Sequence, residues 1–222
     1  MGANFITGTG TDIGKTWLAC ALLRHWRAQG LRPAALKPVL SGFDPAAAQA
    51  SDAGQLLAAL GSEPDERSLD AIAPWRYAAP LSPDMAAARE GRQVPFESVV
   101  AFTRRAAAEA PGPLLVEGIG GVMVPLDHRH TVRDWIAACG LPGVLVAGSY
   151  LGSLSHALTA LEALARAGVP VAAVVVNESE GSAVPLEQTL DALAHHVGGV
   201  PLMGIARADP GPDVARLADL LC

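Results

Sequence analysis

The sequence has few cysteines, no long apolar run and almost no lysine. Its cysteines, Cys20, Cys139 and Cys222, lie far apart and show no C-x-x-C spacing. An odd and scattered set of this kind favours reduced thiols over a disulfide framework or a zinc site. No apolar run reaches the roughly 18 residues that a membrane span needs, and the start of the chain lacks the features of a signal peptide. We therefore expect a cytoplasmic protein with no membrane segment.

The shortage of lysine is informative because the chain is not short of positive charge. It carries 16 basic and 22 acidic residues, for a formal net charge of −6, and only Lys15 and Lys37 are lysines. No basic cluster is longer than Arg104-Arg105, so nucleic acid is not an expected partner. Lysine is a compact charge that can reach a phosphate or lose a proton, whereas arginine stays protonated. Both lysines are therefore candidates for chemistry.

The hydrophobic pattern predicts an α/β fold. Short β-branched or apolar runs alternate with Ala/Leu-rich stretches of helical period, which is typical of a mainly parallel sheet with helices on both faces. We expect a single domain over residues 1–222, with the Pro-rich segment 62–95 irregular. The predicted strands lie near Asn4–Gly8, Ala34–Pro38, Leu114–Glu117, Gly143–Ala147, Val171–Asn177 and Pro201–Ile205. The predicted helices lie near Gly14–Gln29, Asp52–Leu60, Phe96–Ala110, Thr131–Cys139, Ser153–Ala167, Leu186–His196 and Pro212–Leu221.

A glycine-rich stretch, FITGTGTDIGKTW, joins the first predicted strand to the first predicted helix. It resembles a phosphate-binding loop, except that five residues rather than four separate Gly8 from Gly14. Glycines let successive backbone N–H groups face inward, and the helix start adds its positive end, so the loop attracts anions. Lys15 would bridge the β- and γ-phosphates of a nucleotide, and Thr16 would give its hydroxyl to Mg²⁺. A glycine-rich turn without function is the alternative, and it leaves the Gly-Lys-Thr triplet unexplained.

Other polar residues follow or end predicted strands, where open parallel sheets bind their ligands. Lys37 ends the second predicted strand, Glu117 ends the third and Asn177 ends the fifth. Ser41 lies four residues after Lys37, and Asp52 comes soon after it. Each has a plain alternative: a surface lysine, a helix cap at Asp52, a solvated strand end at Glu117 and a turn at Asn177. Mg²⁺ prefers hydroxyl and carboxylate oxygens completed by phosphates and water, which suits Thr16, Asp52 and Glu117.

Taken together, these motifs resemble the dethiobiotin synthetase family, and the match runs along nearly the whole chain. The matching stretches are FITGTGTDIGKT, LKPVLSG, SDA, PLSP, REGR, LLVEGIGG, YLGSLSHAL and VVN. The phosphate loop of that family also has five spacer residues. The resemblance implies a P-loop NTPase-like fold and an ATP- and Mg²⁺-dependent ligase of biotin biosynthesis. In the implied reaction, CO₂ carboxylates one amine of 7,8-diaminononanoate, the carbamate attacks the γ-phosphate of ATP, and the second amine closes the ring.

The resemblance also implies roles for individual residues. Lys37, Lys15 and Thr11 become the catalytic residues, and Thr16, Asp52 and Glu117 become the metal ligands. The implied substrate contacts are Asp12, Lys37, Ser41, Gly152, Ser153, Leu154 and Ser155, the last four in a turn that meets the substrate carboxylate across a homodimer interface. The implied nucleotide contacts are Asp12, Ile13, Gly14, Lys15, Thr16, Trp17, Asp52, Glu117, Gly118, Ile119, Gly120, Asn177 and Arg207.

Two departures from the family pattern bear on these roles. The family commonly has Glu where this chain has Asp12, and it often has a proline in the turn that reads GIAR at residues 204–207 here, which leaves the base preference open. We further expect that the longer loop sends Thr11 and Asp12 past the phosphates towards a second substrate.

Two rival classes of phosphate-loop protein fit less well. A partition- or septum-site ATPase, which acts through a protein partner, usually has a second lysine in the loop, and residues 9–13 have none. A cobyrinate-type amidoligase would need a glutaminase domain with a catalytic cysteine, for which this chain is too short.

Overall fold

A computed structural model describes residues 2–222. Within that range the strands β1 to β8 are Ala3–Gly8, Ala34–Leu36, Val39–Ser41, Trp75–Tyr77, Leu114–Glu117, Gly143–Gly148, Val171–Asn177 and Leu202–Ile205. The helices α1 to α9 are Lys15–Ala28, Asp52–Ala59, Glu66–Ile72, Pro83–Arg89, Phe96–Glu109, Val132–Cys139, Ser153–Arg166, Leu186–Ala194 and Gly211–Leu221. A kinked 3₁₀ segment, Pro45–Ala50, precedes α2.

The main sheet is parallel throughout, in the order β2-β5-β1-β6-β7-β8. The chain winds from β1 towards β2 on one side, and then through β6, β7 and β8 on the other. Because parallel crossovers are right-handed, this reversal places helices on both faces of the sheet. The predicted fold class is confirmed. The reversal also opens a crevice at the carboxyl end of β1, which is where such sheets bind ligands.

The core consists of apolar side chains from the central strands and from the helix faces that cover them. Val174, Val175 and Val176 of β7 are fully buried, as expected for a strand covered on both faces. Phe5 of β1 packs edge-on against Trp135 of α6, with ring centroids 4.7 Å apart. The Trp26 indole of α1 donates to the carbonyl oxygen of Ala218 in α9, at 3.3 Å. The first contact packs α6 against the sheet, and the second joins the first helix to the last.

The segment 62–95 differs from its predicted irregular structure. It contains α3, β4 and α4, and β4 pairs in parallel with β3 in a small second sheet. The two helices have seven residues each, too few to give a clear helical period. The second predicted strand is also shorter than expected, because it ends at Leu36 and leaves Lys37 just beyond it. In the described part of the chain, no helix combines the length and the apolar character needed to cross a membrane.

Candidate active site

The phosphate loop, residues 8–14, follows β1 at the crevice. A β-carbon at Gly8 would lie 2.3 Å from the end of the Ile13 side chain and 3.0 Å from the carbonyl oxygen of Val146, so a larger residue would require its neighbours to shift. Asp12 has a positive φ of 57°, which is rare for a residue with a side chain and indicates a tightly turned backbone. The Lys15 ammonium folds back over the loop and donates to the carbonyl oxygen of Gly10, at 2.6 Å. The loop is thus folded around the Lys15 ammonium.

Lys37 lies at the centre of a buried ion cluster beside this loop. Its ammonium lies 2.7 Å from an oxygen of Asp52 and 2.7 Å from an oxygen of Glu117, and it donates to the carbonyl oxygen of Gly118 at 2.9 Å. Glu117 ends β5, Lys37 follows the adjacent strand β2, and Asp52 begins α2. Parallel strands end at the same edge of a sheet, and so the side chains that the sequence placed at strand ends meet here.

The charges in this cluster shift the pKa values of three groups. Burial lowers the pKa of Lys37, but the charges of Glu117 and Asp52 outweigh it, and the pKa is raised. Burial raises the pKa of Asp52, but the Lys37 charge and hydrogen bonds from Lys37 and Thr16 outweigh it, and the pKa is lowered. Burial and the Lys37 charge lower the pKa of Lys15 to about 8. Lys37 is therefore a permanent cation, whereas Lys15 titrates near neutral pH.

Two buried oxygens in this region have no hydrogen-bond partner. Thr16 donates to one oxygen of Glu117 at 2.6 Å, and the other Glu117 oxygen is unpaired, as is the Ser41 hydroxyl. Unpaired buried polar atoms are uncommon and call for a ligand or water. In residues 2–222, no three acidic, histidine or cysteine side chains form a metal cage. A divalent cation would therefore have to combine Thr16, Asp52 and Glu117 with other oxygens, and the free Glu117 oxygen fits that need.

A cavity of about 310 Å³ unites these groups, and we call it the cation cavity. Its lining comprises Asp12, Gly14, Lys15, Thr16, Trp17, Lys37, Leu40, Ser41, Asp52, Glu117, Ile119 and Gly120. Every lining residue except Leu40 belongs to the predicted site, and all three residues predicted to bind metal are among them. The arrangement presents two cations and several oxygen ligands to an anion bound on the loop, which is what charge stabilisation during phosphoryl transfer requires.

A second cavity, of about 460 Å³, adjoins the first, and we call it the base cavity. Asp12, Gly14 and Trp17 line both spaces, and the remaining lining residues are Ile13, Asn177, Glu178, Ser179, Glu180, Ile205, Ala206 and Arg207. The Asn177 amide donates to the carbonyl oxygen of Ile13 at 2.9 Å, which leaves its own oxygen buried and unpaired. That oxygen can accept a hydrogen bond from a ligand.

The base cavity includes residues that the sequence did not single out, in the loop after β7. Glu178 accepts from the Arg207 backbone N–H at 2.8 Å, and Glu180 accepts from the Arg207 guanidinium at 2.9 Å. Ser179 and Ser149 are reciprocally bonded, each hydroxyl accepting from the other backbone N–H, at 3.0 and 2.9 Å. The only sequence signal for this loop was its position directly after Asn177 at a strand end.

Thr11 borders neither of these two cavities. It lines a third cavity of about 460 Å³, together with residues of the loop after β5, such as Met123, and with His156 of α7. The predicted turn, Gly152 to Ser155, begins the same helix but borders none of the three cavities in this chain. Gly152, Leu154 and Ser155 are exposed, as is Leu151 before them at 90%, whereas the predicted substrate contact Ser153 is buried. The structure therefore brings together the loop, metal and nucleotide candidates, but leaves this turn apart from them.

Comparisons with known proteins agree on the class of protein. A family model described as an AAA domain matches residues 3–210. The chain is 54% identical over 198 residues to the ATP-dependent dethiobiotin synthetase BioD of Acidiphilium cryptum, covering 89% of each chain. It is 50% identical to the protein of the same name from Caulobacter sp. K31, covering 100% of this chain and 94% of the relative.

Solved structures are similar in fold only. The hydrogenase maturation factor HypB of Archaeoglobus fulgidus has a TM-score of 0.60 at 13% identity, covering 100% of this chain and 88% of that one. Chloroplast FtsY of Physcomitrella patens has a TM-score of 0.58 at 16% identity, covering 99% of this chain and 64% of that one. Both likenesses are to the whole sheet and helix arrangement, and neither bears on the reaction.

Proposed function

The chain belongs to the dethiobiotin synthetase family, and from this premise we propose that it is an ATP-dependent ligase that forms dethiobiotin for biotin biosynthesis. The substrates are 7,8-diaminononanoate, CO₂ or bicarbonate, and ATP, and the products are dethiobiotin, ADP and phosphate. One observation carries the proposal most directly. The only two lysines of the chain are both buried, and both line the cation cavity beside the phosphate loop.

The proposed reaction needs positive charge more than it needs a nucleophile. Carboxylation of one amine by CO₂ gives a carbamate, whose oxygen attacks the γ-phosphorus of ATP while the bond to ADP breaks. The second amine then attacks the carbamate carbon, and phosphate leaves as the ring closes. The carbamate and the ATP phosphates are both anions, so Lys15 and Lys37 act by holding them together. The permanent charge of Lys37 suits it to the carbamate and to the phosphoryl group in transfer.

We propose that Thr16, Asp52 and Glu117 hold a Mg²⁺ ion. When bound there, the ion would neutralise negative charge on the β- and γ-phosphates of ATP. The unpaired Glu117 oxygen and the hydroxyl of Thr16, which bonds the other oxygen of the same carboxylate, support this assignment. In the ligand-free protein the Lys37 ammonium is the counter-charge of both carboxylates. A cation held by those carboxylates would leave the Lys37 charge available to the reacting anions.

We place the base of the nucleotide in the base cavity. The Asn177 oxygen is buried, unpaired and fixed in orientation by the bond from its amide nitrogen to Ile13. An exocyclic amino group, such as that of adenine, would donate a hydrogen bond to this oxygen. A carbonyl at the same point would place one hydrogen-bond acceptor against another. Gly118, Ile119 and Gly120, after Glu117, lie along the nucleotide and metal in this proposal.

We place the diamine against Asp12 and Ser41 in the cation cavity and against Thr11, the loop residue next to Asp12. The unpaired Ser41 hydroxyl supports this, as does the lining of a separate cavity by Thr11. The substrate carboxylate would meet the helix start at Gly152 to Ser155 in a second copy of the chain, making the active unit a homodimer. The exposure of Leu151 and the separation of this turn from the cavities of its own chain support that arrangement. The cytoplasmic location stays a prediction.

The decisive experiment measures phosphate release and dethiobiotin formation from ATP, with and without diaminononanoate and bicarbonate. We expect phosphate release to depend on both additions and to match dethiobiotin mole for mole. Phosphate release that ignores the diamine would contradict the proposal and favour a nucleotide switch that acts through a protein partner. Analytical ultracentrifugation under assay conditions tests the dimer, and a fully active monomer would contradict that part.

A further inference from the structure

Trp17 is an exposed aromatic side chain at the nucleotide site. It follows Thr16 in the first turn of α1 and is 43% exposed, whereas Trp26 and Trp135 are at most 1% exposed. Leaving an indole in water forgoes the stabilisation that its burial would bring. Because Trp17 lines both the cation cavity and the base cavity, a bound nucleotide would cover it.

The base cavity otherwise has the composition of a site for a flat heterocycle. Its apolar side chains are Ile13 at the end of the phosphate loop, Ile205 at the end of β8 and Ala206 after it. Its volume of about 460 Å³ falls within the range of small-molecule sites. Aromatic side chains hold bases by stacking, and this attraction tolerates different sequences because every base has a π-face. Trp17 supplies such a surface.

Asn177 alone would not fix which nucleotide binds. Adenine and cytosine both carry an exocyclic amino group, so both can donate to the buried Asn177 oxygen. The two bases differ in the size of their rings. A purine offers a larger face than a pyrimidine, and stacking and apolar burial both grow with the area covered. A large aromatic surface in the same cavity therefore separates the two bases that the amide accepts equally.

We propose that Trp17 is the stacking surface for the nucleotide base, and that it gives the enzyme its preference for ATP over CTP. The inference rests on the proposed function, because it requires the phosphates to lie on the phosphate loop at the start of α1. It goes further in naming the residue that sets the base preference.

The test compares binding of ATP and of CTP by calorimetry in wild-type protein, Trp17→Phe and Trp17→Ala. We expect Trp17→Ala to weaken ATP binding about tenfold, equal to about 1.4 kcal/mol, and CTP binding about threefold or less. Trp17→Phe keeps a ring and should stay within about threefold of wild type for ATP. Leu220→Ala is the matched control, since Leu220 is also exposed, at 47%, and lies on α9 away from both cavities. It should bind both nucleotides as wild type does.

Intrinsic fluorescence gives a second readout that does not depend on affinity. ATP should quench the emission of wild-type protein and of Trp75→Phe, but not that of Trp17→Phe. Trp75 is a suitable control because it packs edge-on against Phe102, 5.6 Å away, and lines neither cavity.

The outcomes separate the inference from the function on which it rests. Wild-type affinity for ATP in Trp17→Ala, or an equal loss for ATP and CTP, would overturn the stacking role while leaving dethiobiotin formation by the wild type intact. A wild-type protein that binds neither nucleotide would overturn the proposed function and the inference together. Trp17→Ala removes an exposed side chain, so its melting temperature should match that of Leu220→Ala.

Discussion

The cation cavity and the base cavity adjoin, yet they are built in different ways. The first is built around the buried charges of Lys15, Lys37 and Glu117, and its centre, Lys37, is 1% exposed, although the Asp52 side chain is 37% exposed. The second is closed by a loop whose ion pair, between Arg207 and Glu180, is exposed on both sides. Buried charges lose much when a partner is removed, whereas exposed pairs contribute little. Substitutions in the two cavities should therefore differ in size and in what they affect.

The largest effect is expected for the two lysines, and it should divide between catalysis and binding. Lys37→Ala should lower kcat for dethiobiotin formation by about 10² to 10³, because it removes a fixed charge at the reacting group. Lys15→Ala should weaken ATP binding by about 10- to 100-fold through loss of charge-assisted hydrogen bonds. Steady-state rates and calorimetric ATP binding measure the two effects.

Equal losses of ATP affinity in the two variants would contradict the separate role of Lys37. Thermal unfolding is the necessary control, because Lys37→Ala leaves Asp52 and Glu117 without their counter-charge. Breaking a buried ion pair costs about 3 to 5 kcal/mol, and the assay temperature must stay below the lowered transition.

The magnesium requirement should distinguish carboxylates of the two cavities. Asp52→Asn and Glu117→Gln should each raise the Mg²⁺ concentration for half-maximal rate, because each replaces a charged ligand by a weaker neutral one. Glu178→Gln changes a carboxylate in the base cavity and should leave that concentration unchanged. Titration of Mg²⁺ at fixed ATP gives the three values, and an unchanged requirement in Glu117→Gln would remove Glu117 from the metal site.

Nucleotide affinity should also depend on pH through Lys15. Its pKa lies at about 8 in the ligand-free protein, so Lys15 is increasingly neutral above that pH and must take up a proton when phosphates bind. We expect ATP affinity to be steady between about pH 7 and 7.5 and to fall as the pH rises through 8, by up to about tenfold per unit. Lys37 does not share this change, because its pKa is raised.

The lowered pKa of Lys15 also affects folding stability, which changes with pH in the opposite direction to ATP affinity. The unfolded chain, with a lysine pKa near 10.5, binds more protons than the folded chain between pH 8 and 10.5. The Lys15 contribution to the free energy of unfolding therefore rises with pH across that window.

Lys15→Ala should abolish the pH dependence of ATP binding. If that variant kept the dependence, the titrating group would lie elsewhere.

The smallest effect is expected for the loop of the base cavity. Ser179→Ala removes one half of the reciprocal pair with Ser149 and should raise KM for ATP by about 2- to 10-fold with little change in kcat. Ser179→Thr keeps the hydroxyl and should restore most of the affinity. Ser62→Ala, at an exposed serine outside the site, serves as the control. An unchanged KM in Ser179→Ala would mean that the pair does not position this loop.

The sequence predicted the elements that carry strong local signals. The strands Leu114–Glu117 and Val171–Asn177 were both found at their predicted bounds. The segment 62–95 was predicted wrongly, since its seven-residue helices depend on local caps such as Asp65 rather than on a long apolar period.

The features of the site likewise divide into those that the sequence predicts and those that it does not. The meeting of Lys37, Asp52 and Glu117 could be predicted because parallel strands end at one edge of a sheet. The exchange of hydrogen bonds between Ser149 and Ser179 could not, since it joins two loops that are 30 residues apart and carries no motif. That the Asn177 side-chain oxygen and one of the two Glu117 oxygens stay unpaired depends on atomic distances that no spacing in a sequence encodes.

The shared lining of the two cavities also matters for inhibitor design. Asp12, Gly14 and Trp17 border both spaces, so no wall of protein stands between them. A compound that joins an anionic group to an aminopurine by a short tether could engage both at once. Once one end binds, the other is held at a high effective concentration, and two weak fragments would combine into a tight ligand without any new contact.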